Sequence, residues 1–79
     1  MIGLIKKTDS FGNVSYFTIV GANEGSLFDQ MSELNDHAYF CDTGNSFSLI
    51  GHKINEQWFD NVGKILDNKY INELLKNEN

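Results

Sequence analysis

Apolar residues at the start of the chain fall into two short runs, Ile2 to Thr8 and Val14 to Val20, around the cluster Asp9-Ser10-Phe11-Gly12-Asn13. Two β-compatible runs flanking turn-forming residues predict a hairpin. A turn at Phe11-Gly12 opposes even positions of the first strand to odd positions of the second. Ile2, Leu4, Phe17 and Ile19 then share a core face, with Ile5, Tyr16 and Val20 on the other. After a loop at 21–25 the rhythm changes to a helical one. Ser26 is a good N-cap with Asp29 three residues on, and Leu27, Phe28, Met31 and Leu34 follow on one face, predicting a short helix that ends near Asn35.

His37 to Asp42 and Phe47 to His52 predict a second hairpin around Thr43-Gly44-Asn45-Ser46. In that register Phe40, Phe47 and Leu49 share one face, while Tyr39, Cys41, Ile50, His37 and His52 share the other. From Asn55 onward Trp58, Phe59, Val62, Ile65 and Leu66, then Tyr70, Ile71, Leu74 and Leu75, form a helical stripe, as one helix or as two divided at Asp67-Asn68. The order β-β-α-β-β-α predicts a single α+β domain over residues 1–79. Its expected form is a small antiparallel sheet made from two β-hairpins, with the helices packed on one face. No linker, repeat or low-complexity tract stands out.

Composition agrees with a folded domain: 79 residues, 41% hydrophobic, with six Phe, three Tyr and one Trp. A chain of this length builds a small core and a stability on the order of 5 kcal/mol. Cys41 is the only cysteine, which excludes an intramolecular disulfide and fits a reducing compartment. The N-terminal apolar stretch ends at Ile5 before two lysines, unlike a secretory signal, and no segment has the length of a membrane span, so a cytoplasmic location is expected.

Charge changes the picture more. The net charge is −5, and all basic residues are lysine. Arginine is the preferred residue for bidentate contacts to phosphates and bases, so its absence in an acidic chain speaks against direct nucleic-acid binding. The acids are concentrated between residues 23 and 52, where Glu24, Asp29, Glu33, Asp36 and Asp42 occur without a lysine. Asp29, Glu33 and Asp36 recur at about one-turn intervals opposite the Leu27–Met31–Leu34 stripe. Such a face either keeps the protein soluble or meets a basic surface.

Other candidates carry less chemistry. In the predicted hairpin His37 and His52 face each other, but a zinc site requires further ligands. Cys41 would lie about 13 Å from His37 along a regular strand, so it reads as a small packing residue rather than a nucleophile. Asp42-Thr43-Gly44, led by Tyr39-Phe40-Cys41, resembles the catalytic segment of aspartic proteases. The likeness is confined to that segment, and a hairpin turn accounts for the tripeptide. Trp58, Phe59 and Tyr70 have core spacing, and one of them left exposed would suggest an interface anchor. The glycines form neither a P-loop nor a dinucleotide fingerprint.

No constellation here supports catalysis, and no cofactor or metal is expected. The leading expectation is a small acidic, non-enzymatic binding protein. Its partner would be a protein with a basic nucleic-acid-binding surface, which Glu24, Asp29, Glu33, Asp36 and Asp42 would occupy. Phage and mobile-element inhibitors of host defence, anti-CRISPR proteins among them, and immunity proteins to nuclease toxins share this size and charge. The ten Asn and the Lys-only basic set fit an AT-rich source such as a phage genome. The alternative is a homo-oligomeric regulatory or structural module, a homodimer for instance, joined through apolar residues on the uncovered sheet face.

Overall fold

A computed structural model describes residues 1–76 of the chain. Its elements are β1 (Ile2–Thr8), β2 (Val14–Val20), α1 (Glu24–Phe40), β3 (Ser46–Ile54), β4 (Gln57–Phe59) and α2 (Asn68–Lys76). The strands form one antiparallel sheet in the order β2-β1-β3-β4. The fold class, the element order and the origin of the sheet in two hairpins follow the sequence reading; the second hairpin and both helices lie elsewhere along the chain.

The first hairpin turns on Asp9. Its carboxylate accepts hydrogen bonds from the backbone N–H groups of Phe11 and Asn13, each at 2.9 Å, and its own N–H donates to the Asn13 carbonyl at 3.0 Å. Gly12 closes the turn at φ 85°, a conformation that glycine adopts without a Cβ penalty. This three-residue tip pairs Leu4 with Thr18 and Ile5 with Phe17, one residue away from the expected register. The side-chain period of a strand is two, so the slip redistributes the faces. Ile2, Leu4 and Tyr16 lie on one side; Ile5, Phe17 and Ile19 lie on the other.

The same device recurs at 60–64, where the sequence showed no repeat. Asp60 accepts from the N–H groups of Val62 and Lys64, Gly63 stands at φ 87°, and Asp60 N–H donates to the Lys64 carbonyl. Asp-Ser-Phe-Gly-Asn and Asp-Asn-Val-Gly-Lys thus build one turn twice. Each turn exposes the apolar residue at its centre, Phe11 or Val62.

Helix α1 begins earlier and ends later than expected. Asn23, not Ser26, is the N-cap, its side chain accepting from Ser26 N–H at 2.9 Å. Leu27, Met31, Leu34 and Ala38 continue the buried stripe at spacings of four, three and four, so the helix runs past Asn35 to Phe40. It stops at a cap in which Asp42 N–H donates to the Tyr39 carbonyl and Thr43 N–H to the Ala38 carbonyl, with Asp42 in the left-handed region at φ 54°. Asp42-Thr43-Gly44 is therefore a helix terminus rather than a hairpin turn. The predicted strand His37–Asp42 does not exist, and neither do the two hairpin faces built on it.

The second hairpin is β3–β4. Asn55 and Glu56 both have positive φ, 49° and 67°, as a two-residue type I′ turn requires. Asn55 is thus a turn residue rather than the start of a helix. Trp58 and Phe59 lie on β4, and the C-terminal helical stripe reduces to a single helix from Asn68 to Lys76. The last residues of the predicted C-terminal helix region, from 77 on, lie outside the described residues.

The helices pack on opposite faces, not on one. Successive β1 residues point to opposite sides. Leu4 joins Trp58 and Ile71 under α2, with Ile2, Tyr16, Ile50, Leu66, Leu74 and Leu75 around them. Ile5 joins Leu27 and Leu49 under α1, with Phe17, Ile19, Met31 and Phe47. A bulge where Leu4 pairs with Gly51 and Ile5 with Leu49 leaves Ile50 as an extra residue and turns it to the α2 side. Gly3 lets α1 come close, since a Cβ there would stand 3.0–3.1 Å from Leu49 and Leu27. The sheet is a middle layer with two small cores, so among the described residues each face has a helix on it, although Val20 stays exposed at the end of β2. Ile5 is fully buried, and Tyr16 and Ile50 pack under α2.

Candidate interaction surface

Helical geometry sorts the acids of α1. At about 100° per residue, Asp29, Glu33 and Asp36 lie within about 60° of one another, opposite the buried Leu27–Met31–Leu34–Ala38 stripe. All three are exposed, and none has an ion-pair partner among the described residues. Glu24 lies apart from them. Its carboxylate is 3.4 Å from Nε2 of His52, a buried side chain of β3 that stacks on Phe59 at 5.9 Å. Asp42 is exposed at the C-terminal cap of α1. Three of the five segment acids therefore form one stripe, a fourth sits at its end, and the fifth is turned to the sheet.

The later end of α1 brings an unexpected residue onto this stripe. Asp29, Glu33, Asp36 and Phe40 are spaced by four, three and four, so Phe40 continues the acidic face. Phe40 and Tyr39 are each 82% exposed and meet edge to face at 5.8 Å. With Asn35, Asp42 and Asn45 they border an open cavity of about 570 Å³. Two large aromatics in water at the end of a charged face have the character of interface anchors. The spacing was present in the sequence, but ending the helix at Asn35 concealed it. Of the three C-terminal aromatics proposed as core, Trp58 is buried, Phe59 is half-buried and Tyr70 is exposed.

A second, mainly apolar groove of about 430 Å³ lies between β2 and α1, lined by Phe17, Ile19, Leu34, Gln30, Glu33 and His37. His37 and His52 do not face each other, because His37 is on the exposed side of α1 and His52 is in the sheet. Nδ1 of His52 is buried without a hydrogen-bond partner. Cys41 is exposed rather than packed. One helical turn brings its sulfur to 3.7 Å from a His37 ring nitrogen, a proximity that a strand would have forbidden. Among the described residues, no group of three His, Cys, Asp or Glu side chains is placed to hold a metal ion. Among them also, no helix is long and apolar enough to cross a membrane.

No protein-family model, curated protein or solved structure matches this chain.

Proposed function

We propose that the protein is a small acidic binding protein, without catalytic activity of its own, that covers the basic nucleic-acid-binding surface of a protein partner. The observation that carries this reading is the exposed stripe of Asp29, Glu33 and Asp36 on α1, free of ion pairs among the described residues and free of lysine along the whole helix. Like charges at one-turn intervals cost a few tenths of a kcal/mol each in an isolated helix, and a basic partner removes that cost. Carboxylates along a rigid rod occupy the positions of successive phosphates and accelerate encounter with a basic channel. Asp42 extends the negative surface, and Tyr39 and Phe40 supply apolar anchors beside it. Glu24 contributes to the field but is engaged with His52.

The partner class is a host nucleic-acid-processing or defence complex, and the mode of action is that of a phage or mobile-element inhibitor. The reading assigns the protein to the cytoplasm, where such complexes work. The test is capture of partners on the tagged protein from a nuclease-treated bacterial lysate with elution by a salt gradient, followed by competition between the protein and nucleic acid for the purified partner. The expected result is elution at moderate salt, mutual exclusion with nucleic acid, and at least about a tenfold loss of affinity for the variant Asp29→Lys/Glu33→Lys/Asp36→Lys. An unchanged affinity for that variant discards the mechanism.

A further inference from the structure

The last turn of α1 carries two metal-ligating side chains within reach of each other. Sγ of Cys41 stands 3.7 Å from Nε2 of His37 and 3.9 Å from its Nδ1. Cys41 caps the helix at φ −88°, ψ −2°, still in the right-handed helical region, so the four-residue spacing places both groups on one face. Both side chains are exposed. In a tetrahedral zinc site the Zn–S bond is about 2.3 Å and the Zn–N bond about 2.0–2.1 Å, which sets sulfur and nitrogen about 3.5 Å apart. The separation in α1 is close to that value. The sulfur is nearly equidistant from the two ring nitrogens, so a turn of the imidazole about χ2, a torsion with broad wells, aims one of them at an ion beside the sulfur.

This pair is half of a site. Zinc in a structural site takes four ligands. Glu33 lies one turn before His37 on the same side, but it is about 12 Å along the helix axis from Cys41, too far to share an ion with the sulfur. His52, the other histidine, is buried in the sheet beside Glu24 and Phe59. Among the described residues no third His, Cys, Asp or Glu completes a group that could hold a metal ion.

We propose that His37 and Cys41 bind zinc together with His37 and Cys41 of a second copy of this chain, the ion lying on the two-fold axis between two α1 helices. Two thiolates and two imidazoles then fill the four positions, and the pair is repeated by the symmetry of an isologous dimer. Each thiol releases its proton to solvent as the sulfur binds, and each imidazole binds neutral, so the two thiolates balance the charge of the ion. The copies, each at −5, repel, so the ion is what holds them together and the dimer depends on zinc. A sulfur and nitrogen set suits zinc and excludes the hard cations magnesium and calcium, which take oxygen ligands. The site lies about 80–140° round the helix from Asp29 and Asp36, and it is separate from the basic-partner reading.

The test is zinc titration of the full chain with a phosphine reductant present, so that no disulfide joins two copies through Cys41. Calorimetry reads the stoichiometry, sedimentation velocity reads the mass, and cobalt(II) serves as a spectroscopic stand-in for zinc. The expected result is one ion per two chains and a shift from monomer to dimer that EDTA reverses. The shift is expected to be more complete at high salt, as the net charges are screened. Cobalt is expected to give tetrahedral d–d bands with a thiolate charge-transfer band, and magnesium and calcium to leave a monomer. Cys41→Ser and His37→Ala are each expected to abolish the dimer and the thiolate band. Both positions are exposed, and circular dichroism checks that the fold is kept. Absence of zinc binding overturns the proposal, as does one ion per monomer without association, a dimer that persists in EDTA, or binding that survives Cys41→Ser. Asp29→Lys/Glu33→Lys/Asp36→Lys is expected to retain the zinc site, so failure here and failure of the basic-partner reading are separate results.

Discussion

On the β3–β4 side of the sheet, side chains take up the outward backbone groups one after another. The Asn35 side chain accepts from Phe47 N–H at 2.8 Å and donates to the Phe47 carbonyl at 2.9 Å. Met31 sulfur accepts from Leu49 N–H, and Asn61 donates to the Leu49 carbonyl. Further along, Asn68 accepts from Trp58 N–H, Leu66 N–H donates to the Trp58 carbonyl, and Phe59 is bridged to Ile65. On the β2 side, the Gln30 amide donates to the Val20 carbonyl. The difference teaches that an edge is closed by what stands next to it. β3 runs beneath α1, and β4 is followed by a turn that folds back on it, so short amides and a thioether reach the strand.

The largest effect expected on the closed side comes from Trp58, 3% exposed in the core under α2. Trp58→Ala is expected to cost about 3–5 kcal/mol, comparable with the total stability of so small a domain, and thermal denaturation reads it as loss of a cooperative transition. Next is Asn35→Ala, which strips both partners from Phe47 in a partly buried position. A loss of about 1–3 kcal/mol is expected in urea denaturation, with the m-value unchanged. If that variant costs no more than an ordinary surface substitution, the amide seal is cosmetic and the contrast between the edges fails.

On the β2 side the expected effects are smaller. Gln30→Ala loses one exposed hydrogen bond and is expected to cost about 0.5–1 kcal/mol or less, while speeding exchange of no inward-facing β2 amide. A loss as large as that of Asn35→Ala would mean that β2 is held by its edge after all.

The smallest effect is one of pH at the hairpin that presents β2. The Asn13 backbone N–H is the strongest influence on the Asp9 carboxyl; partial desolvation opposes it, and the Phe11 N–H, the Asn13 amide and Lys7 add to it, leaving the pKa lowered. A carboxyl with a lowered folded pKa contributes stability above its unfolded value, about 3.9, and loses that contribution as pH falls through the folded value. Asp9→Ala is therefore expected to be less stable than the wild type at neutral pH. The gap narrows as pH drops below about 4, as followed by thermal melts across that range. A gap that is constant with pH would assign the role of Asp9 to backbone geometry alone.

The acidic face was legible in the sequence because it depends only on helical period and charge. Asp29 and Glu33 fall together wherever the helix ends, and Asp36 joins them because α1 continues past Asn35. Phe40 did not, because its place on that face depends on where α1 stops. Ala38 is too small to extend the hydrophobic stripe clearly, and Thr43-Gly44-Asn45-Ser46 has the composition of a turn. The second hairpin was displaced for a related reason. Tyr39-Phe40-Cys41 is as compatible with a strand as Gln57-Trp58-Phe59, and propensity alone does not choose between them. Asn55-Glu56 was equally open, since both residues serve in a helix start or a turn, and only the positive φ of both, imposed by strand pairing, distinguishes the cases.

The sequence by itself determined the α+β class, the order of strands and helices, the first hairpin and the clustering of negative charge on the first helix. These rest on local periodicity and composition, which neighbouring residues carry between them. Tertiary structure decided the register of β1 and β2, the end of α1, the division of the core between two faces and the unequal finish of the sheet edges. Each depends on contacts between residues far apart in the chain: Leu4 with Ile71, Ile5 with Leu27, Asn35 with Phe47. Leu4 and Ile5 are adjacent and equally apolar, and only the two helices that cover them reveal that a single strand serves two cores.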